Sequence, residues 1–464
     1  MMNRLILTLG LFLMLLLTAA CQSLETNDPP TEPSQEYQWR NIKKKLAWLI
    51  KTPNLNEQVE INEMGIALYR SAGARDSGLV ESRIYPDEFE LTAKLFRWMD
   101  QDSLLAAYEQ KGNKHWRKVL SKAQLQKATA YSEDSVAGDS LLPLKGWKIA
   151  IDPGHISGDI VSAEMEGKYV KMKASKLTGG KAIGFFEPQL TLVTALIIQD
   201  SLKKLGATTL ISRPESGKSV KGKSFGLWKK EDWDSVRSAA FIENKWNKED
   251  LSYWQRKADD KEIFKKFYNA NDLRARAEKI NAFRPDMTLI IHYNIHSPNW
   301  DKRDKNGFFV PTQANYSMAF IPGSFAKKEL GTSEDRLALL RMLLTSDLYD
   351  SYDLSTSFIQ HSVTHTGVTP VPKTSDLPYL VHYSIYTDRL GVYARNLSLT
   401  RLIYGPLVYG ESFCQDNIQE ALRLNENDRE KNGIAYSSRL EEVAHAYIAS
   451  VWDFVKEHPK AQKK

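Results

Sequence analysis

The pattern of apolar and polar positions changes character along the chain. Residues 5–17 are an almost unbroken apolar run behind Arg4, and the small residues Ala19 and Ala20 follow. Such a run is too short to cross a bilayer as a mature helix, which takes about 20 residues. A charged start, apolar centre and small-residue end instead predict a secretory signal peptide over 1–20. Residues 21–36 lose the pattern; Pro29, Pro30, Pro33 and their polar neighbours predict a flexible tether. Trp39, Ile42, Leu46 and Leu49 then recur at helical spacing, and residues 88–98 and 104–108 continue in that manner. Residues 37–140 therefore read as a small helical domain of unassigned role, leaving through the linker Ala137-Gly138-Asp139-Ser140.

From residue 146 to 456, short apolar runs alternate with longer amphipathic ones. Residues 147–151, 207–212, 287–291 and 406–410 predict strands, and 188–205 and 272–283 predict helices. In the first helix Leu190, Val193 and Leu202 share a face, and Gly206 stops it. Alternation of this kind predicts an α/β fold with a twisted, mostly parallel sheet flanked by helices. Ligands of such sheets gather beyond the carboxyl ends of the strands. His155, His292 and Glu411 fall at such ends, and Glu187 opens a helix immediately before Pro188.

Composition narrows the class. With 464 residues, 42% hydrophobic and 26% charged, the chain is an ordinary globular one, not a disordered or disulfide-framework one. Lys+Arg number 63 against Asp+Glu 57, and the small net charge of +6 is spread out, which argues against a nucleic-acid partner. Mild attraction to anionic polymers is the most it supports. The chain has only two cysteines, Cys21 and Cys414.

A zinc site is the sharpest chemical reading. Catalytic zinc takes about three protein ligands and keeps a position open for water. His155, Glu187 and His292 supply two imidazoles and a carboxylate, and a helix start beside Pro188 favours the ionised form of Glu187. Glu164 and Glu166 are rival ligands, and Asn294 and His296 are candidate substrate contacts. His361 and His365 have a metal-binding spacing but lack the glutamate of a zincin helix, and Thr364, Thr366 and Gly367 predict a loop there. Trp228, Trp233, Trp246, Trp254 and Trp300 would either pack in a core or stack on sugar rings. Gly217 to Ser224 formally matches a phosphate-binding loop, yet Lys229-Lys230-Glu231-Asp232 is not the apolar helix such a loop opens, so no nucleotide is expected.

These residues also carry a family resemblance. Ile149-Ala150-Ile151-Asp152-Pro153-Gly154-His155 resembles the opening motif of the zinc-dependent N-acetylmuramoyl-L-alanine amidases of type 3. Glu187 with Leu210-Ile211-Ser212-Arg213, the stretch from Leu273 to Asn281, and Ile291-His292-Tyr293-Asn294 resemble its later blocks in order. Tyr409-Gly410-Glu411 and Asn417 resemble its catalytic glutamate motif. The resemblance implies one zinc ion on His155, Glu187 and His292, and Glu411 as general base. It also implies peptidoglycan as substrate, cut at the amide between the muramic lactyl group and L-alanine. Compared with the family, residues near 158–182, 214–271 and 297–378 are insertions, expected as groove walls or a lid. Leu17-Thr18-Ala19-Ala20-Cys21 resembles a bacterial lipoprotein cleavage box. It implies a lipid on Cys21, membrane anchoring in the cell envelope and a periplasm-facing enzyme. An activator protein that opens the site is a candidate partner. The rival readings are another zinc peptidase acting on stem peptides and a catalytically inactive peptidoglycan-binding lipoprotein.

Overall fold

The computed structural model describes residues 35–52, 57–131, 142–242, 245–296, 302–326, 328–373 and 375–460. The signal peptide, Cys21, nearly all of the tether, the linker and Trp300 lie outside these residues. The chain divides into two compact units, Met1–Lys43 and Lys44–Lys464. The described part of the first is the beginning of helix α1 (Gln35–Leu49).

In the second unit, strands β1 (Val59–Asn62), β2 (Gly65–Leu68) and β3 (Ser82–Ile84) form an antiparallel sheet before α2 (Phe89–Trp98) and α3 (Gln101–Lys111). The stretch 37–140, expected as a small helical domain, also holds this sheet, whose strands are too short to show a period. Gly65 is what lets the strands approach: it takes φ 123°, and a Cβ there would stand 2.0 Å from the Ile84 carbonyl oxygen. This front part is joined to the body by polar contacts. Arg336 donates from its Nη2 to Glu81 Oε1 at 2.6 Å, and Gln101 Nε2 donates to Glu334 Oε1 at 2.8 Å.

The body contributes β4 (Lys148–Pro153), the hairpin β5 (Tyr169–Met172) and β6 (Ile183–Phe186), β7 (Thr208–Ile211), β8 (Met287–Asn294), β9 (Met318–Ile321), β10 (Ser384–Tyr386), β11 (Val392–Arg395) and β12 (Leu407–Cys414). Seven strands make the main sheet in the order β10-β11-β9-β12-β8-β4-β7. The β7-β4, β4-β8, β8-β12 and β9-β11 pairs are parallel; β12-β9 and β10-β11 are antiparallel. The fold is thus α/β with a mostly parallel sheet, as the alternating pattern predicts. β8 is buried along its whole length, as a strand covered on both faces requires.

Helices α5 (Glu187–Lys204), α6 (Asn269–Phe283), α8 (Asp347–Thr366) and α9 (Arg439–Glu457) flank the sheet, while α4 (Ile160–Glu166) packs on the β5–β6 hairpin and α7 (Ser333–Leu344) on α2, α3 and α8. Ala277 and Ile280 of α6 pack with Ala150, Ile290 and Leu407 on one face. On the other, α8 and α9 press on β12 so closely that a Cβ at Gly410 would lie 2.2 Å from the Tyr447 hydroxyl and 2.7 Å from Phe358 Cζ. The expected insertion at 297–378 is not a flap. It supplies β9, wholly buried between β12 and β11, and the core helix α8. A long-range pairing of this kind leaves no local mark beyond a four-residue apolar run. The insertion at 214–271 is a helical cap around Phe225, Trp228, Trp233, Trp254, Phe264 and Tyr268, so the described tryptophans there serve packing.

Candidate metal centre

The site grows from the ends of β4 and β8 and the start of α5. After β4, Gly154 leads into His155, which sits at φ 66°, a backbone region that costs a non-glycine residue energy. The surroundings hold it there. Arg276, fully buried on α6, donates from Nη1 to the Pro153 carbonyl at 2.9 Å and from Nη2 to the His155 carbonyl at 2.6 Å. Thr191 Oγ1 donates to the Gly154 carbonyl at 2.7 Å. Arg276 is itself fixed by Asp272 Oδ2 (2.6 Å) and Asp152 Oδ2 (3.3 Å). No side chain fits at residue 154, because a Cβ would stand 2.3 Å from His292 Cε1.

Three ligand-type atoms meet here. His155 Nε2 lies 3.1 Å from Glu187 Oε1, His292 Nδ1 lies 3.1 Å from His155 Nε2, and His292 Nδ1 lies 3.2 Å from Glu187 Oε1. Tetrahedral ligands about 2.0–2.1 Å from a zinc ion stand about 3.3 Å apart, close to this triangle. Among the described residues this is the one His/Cys/Asp/Glu group whose ligand atoms converge in this way. Two nitrogen lone pairs and a carboxylate aimed at one point repel each other unless a cation or proton sits between them, so the donor set fits a borderline metal such as zinc.

The neighbours orient the ligands. Glu166 Oε1 lies 3.1 Å from His155 Nδ1, while Glu166 Oε2 accepts from Ser157 Oγ at 2.7 Å and Ser157 N at 3.1 Å. A carboxylate on Nδ1 leaves the Nε2 lone pair facing the centre. Of the rival ligands, Glu166 is therefore the residue behind a ligand, and Glu164 pairs with Lys171. Glu187 Oε1 also accepts from Tyr293 N at 3.1 Å, and its Oε2 accepts from Gln415 Nε2 at 3.1 Å, with Lys168 Nζ at 3.7 Å. The His292 ring lies flat on Tyr409, with centroids 4.4 Å apart and planes 5° apart.

The charge balance follows from burial and proximity. Burial pushes the Glu187 carboxyl up, but His155 and Lys168 outweigh it and hold it well below the usual range. Burial pushes His292 down to about 4, the neutral form a metal ligand needs. Glu411 is the register partner of His292 on the adjacent strand β12 and is only partly covered. Its carboxyl is raised above the usual range by burial first and then by the Glu187 carboxylate. Both His292 and Glu411 lie inside paired strands, because β8 and β12 continue past the expected ends at 291 and 410.

The two candidate substrate contacts are placed less directly. Asn294 is buried and donates from Nδ2 to the Tyr379 hydroxyl at 3.3 Å; His296 Nδ1 lies 3.1 Å from the Tyr316 hydroxyl. Neither belongs to the ligand triangle. In the formal phosphate-loop match, Lys223 Nζ turns to Asp232 at 2.7 Å and Glu231 at 3.2 Å. Cys414 is buried among apolar side chains. In the sequence Arg276 is one residue of the helix block from Leu273 to Asn281 with no task of its own, and the Asp272–Arg276 spacing of one helical turn is the signal that marks it. The stacking residue Tyr409 and the glutamate-bracing Gln415 left no such signal.

No protein-family model matches the chain, and no curated protein matches it. Among solved structures, the CwlD amidase from Clostridioides difficile, determined in complex with the GerS lipoprotein, is similar at 14% identity and a TM-score of 0.35, covering 67% of this chain and 100% of that one. The N-acetylmuramyl-L-alanine amidase Ami1 from Mycobacterium abscessus is similar at 15% identity and a TM-score of 0.35, over 67% and 99%. The catalytic domain of CwlV, an N-acetylmuramoyl-L-alanine amidase from Bacillus (Paenibacillus) polymyxa, is similar at 12% identity and 0.33, over 67% and 98%.

Proposed function

We propose that this chain is a zinc-dependent N-acetylmuramoyl-L-alanine amidase that hydrolyses the amide between the muramic lactyl group and L-alanine of peptidoglycan. The observation that carries the proposal is the triangle of His155 Nε2, Glu187 Oε1 and His292 Nδ1, 3.1–3.2 Å on each side, with Glu411 beside it on the neighbouring strand. The motif blocks from Asp152-Pro153-Gly154-His155 to Gly410-Glu411 supply the substrate class, since the triangle alone says only hydrolase.

His155, Glu187 and His292 would hold the ion. When bound, zinc lowers the pKa of a coordinated water to about 7 and polarises a carbonyl. Glu411 takes the proton from the attacking water and returns it to the leaving amine. A carboxyl raised above its ordinary range suits that exchange near neutral pH. Arg276 and Glu166 keep His155 in place while this happens.

The proposal extends to a lipid on Cys21, a cell-envelope location facing the periplasm, and an activator protein as partner. Mass spectrometry of the mature amino terminus tests the lipid. The activity test incubates the purified protein with purified sacculi, with and without chelator. Free L-alanine amino termini with intact glycan strands, lost on chelation, support the amidase. Cleavage within the stem peptide supports the rival peptidase, and binding without release supports the inactive lipoprotein.

A further inference from the structure

The outer surface shared by α8 and α9 collects titratable side chains that the centre around Glu187 does not use. His361 and His365 sit one turn apart near the end of α8, not on the loop expected there. The helix runs on to Thr366 because Gly367, at φ 71°, provides the left-handed cap that ends it. On α9, His445 and Asp453 are two turns apart with Ala449 between them. His361 Nε2 lies 2.6 Å from Asp453 Oδ2, which also accepts from Ser357 Oγ at 3.1 Å. Ring centroids are 6.0 Å apart for His361 and His365, and 5.8 Å apart for His365 and His445. His365 and His445 are exposed, and His361 is half-buried.

We infer a second metal site here: His361, His365 and His445 form a surface clip for one divalent transition-metal ion that ties α8 to α9. With a metal–nitrogen distance of about 2.1 Å, an imidazole centroid lies about 3.2 Å from the ion. Two bound rings then stand about 5.2 Å apart at a tetrahedral angle and about 6 Å apart near 140°, from the same bond length. His365 stands at the wide end of that range from each of the other two rings, with His361 on one side and His445 on the other. Asp453 on Nε2 leaves Nδ1 of His361 as the free lone pair, the same carboxylate–histidine device that Glu166 provides for His155. Imidazole donors select zinc, copper or nickel over magnesium or calcium. The ligand atoms do not yet converge as they do at His155, Glu187 and His292, so side-chain rotation precedes binding and the clip holds its ion more weakly than the centre.

The test is equilibrium dialysis of the metal-free protein against Zn²⁺, with Ni²⁺ as a second probe. The wild type should bind two zinc ions per chain, the second at least about tenfold more weakly than the first. The double variant His365→Ala/His445→Ala, altered only at exposed positions, should bind one. It should also lose the rise in Tm that excess Zn²⁺ or Ni²⁺ gives the wild type. His155→Ala should keep the weaker ion and lose the tight one, which separates the clip from the centre. Equal stoichiometry and an equal Tm response in wild type and double variant would overturn the inference.

Discussion

Two groups of histidines in one molecule show what burial adds to ligand chemistry. At the centre, His155 and His292 are held by elements far apart in sequence and their ligand nitrogens lie 3.1 Å apart. Almost every supporting atom is itself hydrogen-bonded: the carbonyls of residues 153–155 to Arg276 and Thr191, His155 Nδ1 to Glu166, and Glu187 to Tyr293 and Gln415. On the α8–α9 surface the histidines come from neighbouring turns of two packed helices, with centroids 5.8–6.0 Å apart and solvent at hand. The first arrangement is built before an ion arrives; the second must be closed by one. Preorganisation of this kind is what a reacting site needs and a structural clip does not.

The comparison breaks most visibly at Glu411. Glu411→Gln should lower amide hydrolysis by about 10²–10⁴-fold while the tight zinc stays, measured as released L-alanine termini and bound metal on one sample. A fully active variant would remove Glu411 from the mechanism. Arg276→Met should come next. It leaves Asp152 and Asp272 as uncompensated buried carboxylates, so urea denaturation should show a loss of about 3–5 kcal/mol. An unchanged midpoint would mean that the loop carrying His155 needs no such brace. Glu166→Gln should weaken zinc at the centre by about 10–100-fold in a chelator competition and leave the fold intact. No change would make Glu166 a bystander.

The smallest effect concerns a buried pair that meets no metal. Burial pushes the Glu81 carboxyl up, yet the Arg336 guanidinium outweighs it, so Glu81 titrates below its usual range. A carboxyl depressed in the folded state gives stability that is present above its unfolded pKa of about 4.3 and is lost as pH falls through the lower folded value. The urea midpoint of the wild type should therefore fall more between pH 6 and pH 3 than that of Glu81→Gln, and chelator should leave this difference unchanged. Parallel acid profiles would show that the pair contributes nothing.

Much of this was legible in the chain itself. β4, β8 and β12 announce themselves as apolar runs ending in Asp-Pro-Gly-His, His-Tyr-Asn and Gly-Glu, and α5 shows its face and its Gly206 stop. Those features suffice to bring His155, Glu187, His292 and Glu411 to neighbouring positions. What escaped was long-range or short. β9 enters the sheet from a stretch read as an insertion, because the pairing partners of Met318–Ile321 lie 73 to 93 residues further along the chain and are invisible locally. The front sheet escaped because its strands span only three or four residues. Glu166 was visible as a carboxylate near the site, but whether a carboxylate touches the ion or the imidazole behind it depends on a turn that spacing does not encode.

The most direct test is zinc retained by the purified protein and by His155→Ala after dialysis against a chelator weak enough to spare the centre and strong enough to empty a surface site. The wild type should keep one zinc ion per chain and hydrolyse the lactyl–alanine amide of sacculi, and His155→Ala should keep none and release nothing. A His155→Ala protein that keeps its zinc, or hydrolyses sacculi at the wild-type rate, would contradict the assignment of the centre.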